Sequence, residues 1–151
     1  MRKVKRWRYY CEFCKKKSGG SEGHMARHEK SCTMNPDRIC KMCKYGEDAQ
    51  PSIIDMLEAL KIALITKEIE KFKIDNDLFE SETYKIENEK EAVEKLREIA
   101  NGCPMCMLAA IRQTGYPAPL FSSFDFKKEK EIFWTEFRDS EPIDYEREIG
   151  Y

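Results

Sequence analysis

The chain has 151 residues, of which 41% are hydrophobic and 36% are charged. This length excludes two large cores, and the modest apolar content predicts that bound metal supplies part of the stability. The formal net charge is only -1, but residues 1–45 hold 13 Lys and Arg against 4 Asp and Glu, whereas residues 46–151 hold 14 against 24. The basic N-terminal part therefore predicts an anionic partner.

The N-terminal residues MRKVKRWRYYC lack the apolar stretch of a secretory signal, and no apolar run approaches the ~18 residues of a membrane span. We expect a cytoplasmic protein with no membrane partner and no small-molecule substrate. In a reducing compartment, closely spaced cysteines are more often metal ligands than disulfides. The seven cysteines and one histidine supply eight ligands, the number that two tetrahedral zinc sites need.

The first ten residues alternate basic and aromatic side chains, with Trp7, Tyr9 and Tyr10 set among five Lys and Arg residues. This pattern suits phosphate contacts combined with base stacking. An equal alternative is that Tyr9 or Tyr10 begins a short hairpin whose rings cover a metal site, with the basic residues left in solvent.

The strongest motif is Cys11-x2-Cys14-x13-His28-x3-Cys32. It resembles the C-x2-C-x12-H-x3-H zinc finger of the ββα class, with one extra residue and a final cysteine. The resemblance implies a hairpin, then a helix over about 21–30 that holds Met25 beneath the metal. His24 and His28 are four residues apart, a spacing that would let both bind one metal from a single helix. That pairing shortens the loop between Cys14 and the first histidine and leaves Cys32 without partners. We prefer Cys32 as the fourth ligand.

Under the finger alignment, three residues of the helix occupy base-reading positions, and neighbouring cations contact phosphates. The predicted nucleic-acid contacts are Arg6, Arg8, Lys15, Lys16, Lys17, Ser21, His24 and Arg27. One finger covers only about 3 base pairs and cannot specify a site alone. Many single fingers are structural or bind proteins, so that alternative stays open.

The remaining cysteines form two matching knuckles, Cys40-x2-Cys43 and Cys103-x2-Cys106. Their separation exceeds the ~15–20 residues of a plain zinc ribbon, so a helical insertion is predicted inside one metal site. Four thiolates bind zinc or, as in rubredoxin-like knuckles, iron.

Within the insertion, apolar spacing predicts a principal core helix from Ser52 to Phe72. Its predicted inward residues are Ile53, Met56, Leu57, Leu60, Ala63, Leu64 and Phe72. Further isoleucines (Ile54, Ile62, Ile65 and Ile69) widen the stripe, which indicates deeper burial or a partner surface. Residues 73–87 lose the period and predict a loop or short extended segment.

Three further helices are predicted towards the C-terminus. The first runs over about 88–100 with Ala92, Val93, Leu96 and Ile99 inward, and it ends at Asn101-Gly102. A short buried helix follows Cys106 and ends at Gly115. A last helix over 120–138 directs Phe126, Ile132, Phe133 and Phe137 mostly to the core.

The fold class predicted is small α+β, mostly α, in two parts. Residues 1–38 form a basic arm and a ββα-like zinc finger. Residues 39–151 form a helical domain clasped by the split four-cysteine zinc knuckle, with an acidic tail from Asp139.

The sequence does not predict an enzyme. Zinc deaminases need H-x-E followed by P-C-x-x-C, and metalloproteases need H-E-x-x-H; neither pattern is present. Both predicted zinc sites also use four protein ligands, which leaves no position for a reacting water. No catalytic residues are assigned.

The string HEKSCTMNPDRICKMC, followed downstream by GCPMCMLAAIRQ, resembles small zinc proteins of bacteriophages and related mobile elements. The resemblance covers roughly residues 9–46 and 101–113 and implies two structural zinc sites and a viral or prophage origin, with a host cytoplasmic location if the protein is viral, but no activity. The leading hypothesis is a zinc protein that binds nucleic acid through its finger. The alternative is a phage-type adaptor or inhibitor that engages a host or viral protein complex through the acidic helical half.

Overall fold

The computed structural model describes residues 7–46, 48–74 and 77–140. Within these ranges, six α-helices and two separate antiparallel sheets form an α+β fold, which confirms the predicted class at this level. In chain order the elements are β1 (Tyr9–Tyr10), β2 (Ser18–Gly19), α1 (Glu22–Glu29), α2 (Lys41–Tyr45), α3 (Ile53–Leu60), β3 (Leu64–Ile74), β4 (Asp77–Glu87), α4 (Glu89–Ile99), α5 (Pro104–Gln113) and α6 (Phe126–Ser140).

The N-terminal module consists of a minimal hairpin and one helix. Strand β1 pairs antiparallel with β2, and α1 follows within one residue of each predicted boundary. Met25 is buried on the inner face of α1 and packs with Cys11 and Cys32 in a small separate core. Two strands and then a helix is the order that the finger resemblance implies, whereas membership of the ββα class stays a prediction.

The main core lies among α3, α4, α5 and α6. Its largest fully buried side chains outside the knuckles are Met56, Val93, Leu96, Met107, Ile111 and Phe121. All four knuckle cysteines belong to this same buried cluster. The four-cysteine site is therefore built into the apolar core, where loss of its geometry would disturb the packing of several helices.

The predicted helix from Ser52 to Phe72 is wrong beyond its first two turns. Helix α3 ends at Leu60, and the chain becomes a strand at Leu64. Leu64 is 56% exposed and Phe72 is 45% exposed, so neither is a core residue. The isoleucine and threonine side chains of this segment favour extended backbone, and a partner strand is available to pair with it.

That partner lies in the segment predicted as a loop or short extended stretch. The loop alternative is wrong, whereas the extended alternative is confirmed in kind, although the strand is longer than predicted. Residues 77–87 form an 11-residue strand, β4, whose register with β3 runs from Leu64 opposite Glu87 to Ile74 opposite Asp77. Ile65 and Ile86 pack against the main core at the base of the hairpin. Further along, the rings of Phe72 and Phe79 stack at 5.9 Å on an exposed part of it.

The helices after the hairpin agree better with the sequence. Helix α4 lies within one residue of its prediction, and Asn101 and Gly102 both adopt positive φ where it ends. Helix α6 begins at Phe126, six residues later than predicted, because the Asp125 carboxylate accepts the backbone N–H groups of Lys127 and Lys128. On α6, Phe133 is buried as predicted.

Ile132 departs from the predicted orientation, since it is 52% exposed. Phe126 and Phe137 are half-buried. A polar contact fixes α6 to α4: Arg97 Nε donates to Glu129 Oε2 at 3.1 Å, and the Glu129 side chain is almost completely buried. This hydrogen bond raises the pKa of Arg97 above its usual value.

Candidate metal centres

The four-cysteine cluster is made by two knuckles of the same construction. Cys40 immediately precedes α2 with extended backbone, and Cys43 lies inside that helix. Cys103 and Cys106 hold the corresponding positions at the start of α5. Because each helix begins at its knuckle, both thiols of a pair project to the same side, and the packed core brings the two pairs together.

The sulfur positions fit one tetrahedral metal ion. Cys40 Sγ lies 3.6 Å from Cys103 Sγ, and Cys43 Sγ lies 3.5 Å from Cys106 Sγ. All four sulfurs lie within 4.8 Å of one another, and all four residues are buried. A tetrahedron with Zn–S bonds of ~2.3 Å has sulfur–sulfur edges of ~3.8 Å. The cluster can therefore hold a metal ion with little rearrangement.

The four thiols of this cluster influence one another's ionisation. Hydrogen bonds among the sulfurs lower the pKa of Cys40 and Cys103, and they raise the pKa of Cys43 and Cys106. Four buried thiolates cannot share this space without a compensating positive charge. A divalent ion would supply that charge and displace the protons.

Arg38 is a buried cation beside this cluster that the sequence reading did not identify. It is only 4% exposed, and its Nη1 donates to Cys106 Sγ at 3.7 Å. Its Nε is buried without a hydrogen-bond partner among the described residues. Gln50, also missed, donates its side-chain amide to the Arg38 carbonyl and accepts the Cys40 backbone N–H. The sequence around these two residues carries no motif that could have identified them.

The second cluster contains Cys11, Cys14, His28 and Cys32. Cys11 follows β1, and Cys14 lies in a turn that Lys15 closes with a positive φ of 53°. His28 projects from α1, and Cys32 lies three residues beyond its end. The structure thus brings together the four residues predicted from spacing, although they come from a turn, a helix and a connector.

The distances in this cluster also match a tetrahedral site. Cys11 Sγ lies 3.8 Å from Cys32 Sγ, and Cys14 Sγ lies 3.5 Å from His28 Nε2. Bonds of ~2.3 Å to sulfur and ~2.0 Å to nitrogen give edges of ~3.8 Å and ~3.5 Å respectively. Cys11 and Cys32 are buried, whereas Cys14 and His28 are half-buried.

The ionisation of this cluster is uneven. Burial alone would raise the pKa of Cys14, but hydrogen bonds from the Lys17 backbone and from His28 outweigh it and lower that pKa to about 6. Burial raises the pKa of Cys32 to about 11. Cys14 therefore provides a thiolate near neutral pH, while a bound cation is needed to ionise Cys32.

His24 does not join the cluster. It lies on the exposed side of α1, where Gly19 of β2 is its neighbour. Among the described residues, the ligand set at this position is thus the three cysteines and His28. The alternative pairing of His24 with His28 has no support in this geometry.

The other predicted nucleic-acid contacts are exposed side chains of the N-terminal module, and nothing in the structure tests whether they bind. The exposed residues are Arg8, Lys15, Lys16, Lys17, Ser21, His24 and Arg27. Arg6 lies outside the described residues. Trp7, the first described aromatic of the basic arm, is 91% exposed, and Tyr9 and Tyr10 are exposed too. The short hairpin predicted to begin at Tyr9 or Tyr10 is present, since both residues form β1, but neither tyrosine belongs to the small core around Cys11.

The two clusters are connected by side chains of α5 that contact residues 33–38. Arg112 Nη1 donates to Thr33 Oγ1 at 2.9 Å, and Gln113 Nε2 donates to the carbonyls of Thr33 and Asn35. Thr33 and Asn35 are buried. The N-terminal module is therefore held against the helical part by hydrogen bonds as well as by the chain itself. The predicted division into residues 1–38 and 39–151 stays a prediction.

No family model, curated protein or solved structure matches the chain. None of the helices in the described ranges has the length and apolar character required to cross a bilayer.

Proposed function

We propose that this is a non-enzymatic protein that holds two zinc ions and binds nucleic acid through its basic N-terminal module. The observation that carries the proposal is the pair of four-ligand clusters with tetrahedral spacing. Thiolate and imidazole donors favour zinc in the Cys11, Cys14, His28 and Cys32 cluster, and a four-thiolate set takes zinc or iron. Zinc at both positions stabilises the folded chain.

The assignment as a structural rather than a catalytic metal protein follows from ligand number. Each cluster offers four side chains, which complete a tetrahedral shell. Catalytic zinc sites keep one position for water or substrate.

The nucleic-acid part of the proposal is supported by charge and exposure. Lys15, Lys16, Lys17 and Arg27 are exposed on the module that contains the first cluster. A zinc ion with three thiolates carries a net charge of about -1, so the module stays strongly basic when zinc is bound. Exposed cations on a small rigid module suit contacts to phosphates.

This proposal is tested by measuring the binding of labelled oligonucleotides, single-stranded and duplex, across a range of salt concentrations. We expect affinity to fall steeply with salt and to fall further when Lys15, Lys16, Lys17 and Arg27 are all replaced by Gln. The matched control replaces Lys90, Lys127, Lys128 and Lys130, four exposed lysines of α4 and α6, by Gln. The proposal would be refuted if the affinity did not change with salt concentration, or if both quadruple variants lowered the affinity equally.

A second candidate function is favoured by the exposed β3–β4 hairpin. Its stacked Phe72 and Phe79 rings lie on one face of the hairpin and Ile69 lies on the other, and all three side chains expose apolar area. On this proposal the protein is an adaptor or inhibitor that engages a host or viral protein complex. Capture of a partner that survives nuclease treatment and is lost in a Phe72→Ser, Phe79→Ser variant would support it, and capture that persists in that variant would contradict it.

A further inference from the structure

A groove of about 760 Å³ separates the outer side of the first metal cluster from the end of α5. Its volume lies within the range of about 300–1,000 Å³ that is common for ligand sites. Lys16, Lys17 and Ser31 line it on the N-terminal side, and Arg112 and Tyr116 line it on the other. The groove is therefore formed by two parts of the chain that are far apart in sequence.

The lining is positively charged. Lys16, Lys17 and Arg112 are cations, and no carboxylate occurs among the described residues that line the groove. None of the three cations forms an ion pair within the described ranges. A zinc ion with the three thiolates of the first cluster contributes about -1, so the groove keeps a net positive charge when metal is bound.

Two side chains of the groove are held in place by neighbours. Arg112 donates to the buried Thr33 hydroxyl, which fixes one side of a guanidinium group that has five N–H donors. Tyr116 follows Gly115, whose φ of 81° turns the chain after α5. The ring of Tyr116 makes an edge-to-face contact with the ring of Tyr84 in β4, with 5.9 Å between the ring centres, and Tyr116 is 38% exposed.

We propose that this groove binds a single strand of nucleic acid, with phosphates on Lys16, Lys17 and Arg112 and one base stacked on Tyr116. A basic groove with an aromatic ring is the arrangement that binds single strands without sequence readout. In a duplex each base is already stacked on its neighbours, so a base reaches a tyrosine ring in a cleft only when it leaves the stack. The inference rests on the proposed nucleic-acid function and makes it specific.

The test uses the zinc-loaded full chain and a labelled oligothymidylate of about 12 nucleotides, a length within the span of single-strand sites. We expect Arg112→Gln and Tyr116→Ala each to weaken binding by about tenfold, and Tyr116→Phe to retain it because the ring is kept. Arg112→Gln should also reduce the magnitude of the slope of log affinity against log salt concentration by about 1, the change expected when one phosphate contact is lost. Lys127→Gln, at an exposed lysine of α6 that does not line the groove, is the comparison variant, and thermal unfolding verifies that each variant is folded.

The outcomes separate this inference from the proposed function. If the wild type binds oligonucleotides but Arg112→Gln and Tyr116→Ala bind as tightly as it does, the groove is not the site and the proposed function stands. If the wild type binds no nucleic acid, both fail. Displacement of the oligonucleotide by equal charge concentrations of polyglutamate would show that the groove takes acidic peptides, which also overturns the inference. Should Tyr116→Ala unfold, Tyr116→Leu, which keeps an apolar side chain without an aromatic ring, replaces it.

Discussion

The buried guanidinium of Arg38 lies against the sulfur of Cys106, next to a site that would carry a charge of about -2 with zinc and four thiolates. A buried cation here offsets part of that charge and donates to a thiolate. Its Nε is buried without a hydrogen-bond partner among the described residues. Arg38 is thus a buried cation whose side chain donates directly to a ligand sulfur of the four-cysteine centre.

We therefore expect Arg38→Met to weaken zinc binding at the four-cysteine site by about 10–100-fold and to leave the first site unchanged. A loss of this size is usual when a residue that supports a metal ligand is removed. Arg38→Lys, which keeps the charge, should recover part of the loss. Competition with a coloured zinc chelator measures both sites in one titration. Arg27→Met, at an exposed arginine of α1, is the control, and equal retention of zinc by the Arg38 and Arg27 variants would contradict this role.

The choice of ligand at the first site is also decided at single residues. The Cys32 sulfur lies 3.8 Å from the Cys11 sulfur, whereas His24 is exposed and does not belong to the cluster of ligand atoms. Cys32→Ser should lose one zinc per chain, and His24→Gln should retain both, as measured by elemental analysis. The opposite pattern, with zinc lost in His24→Gln, would show that the two histidines form the pair.

At the scale of elements, the structure explains why one helix could be predicted only in part. Ile65 and Ile69 are four residues apart, a spacing that places side chains on one face of a helix and also on one face of a strand. The sequence pattern could not separate these states, because the deciding interaction is the pairing of β3 with β4. Helix α4 was predictable since its apolar residues, its acidic first turn and its Asn-Gly end all agree.

The hairpin beyond Ile65 and Ile86 contributes little buried surface, because most of its described residues are exposed. Replacing residues 66–85 by an Asn-Gly turn should therefore leave the fold and the zinc content intact. Thermal unfolding and elemental analysis of the shortened chain check this. A fall in melting temperature of more than about 10 °C, beyond the effect of ~1 kcal/mol in a chain of this size, would show that the hairpin supports the core.

The contact between α4 and α6, in contrast to the hairpin, should contribute to the stability of the fold, since Glu129 is almost completely buried and paired with Arg97. Glu129→Gln removes the charged acceptor and should lower the free energy of unfolding by about 1–3 kcal/mol. Glu131→Gln, at an exposed position of the same helix, should change it by less than about 0.5 kcal/mol. Denaturant unfolding at constant zinc compares the two, and equal values would rule out this role for the pair.

At the scale of the whole molecule, cysteine spacing predicted which side chains assemble, because metal coordination imposes the same local geometry wherever the knuckles occur. It predicted the long connection between Cys43 and Cys103, and the structure brings those thiols to within metal-binding distance. What it could not predict were Arg38, Gln50 and the groove beside Arg112. These depend on how the knuckles and α5 pack against residues 33–38, and such packing leaves no periodic signal in the sequence.

The two clusters lie in different parts of the molecule. The first closes a small module with its own minor core, and the second lies inside the main core among four helices. Residues 33–38 and α5 join them through partly buried hydrogen bonds. Metal at the second cluster should therefore control the stability of the helical part. Metal at the first cluster should control the folding of the N-terminal module that carries the basic surface.

The most direct test of the central claim is the metal content of the purified wild type and of Cys40→Ser, measured by elemental analysis for zinc and iron. The account predicts two zinc ions per chain in the wild type and one in Cys40→Ser. A wild type with a single metal ion would contradict the four-cysteine centre, and iron in place of zinc would contradict the proposed metal.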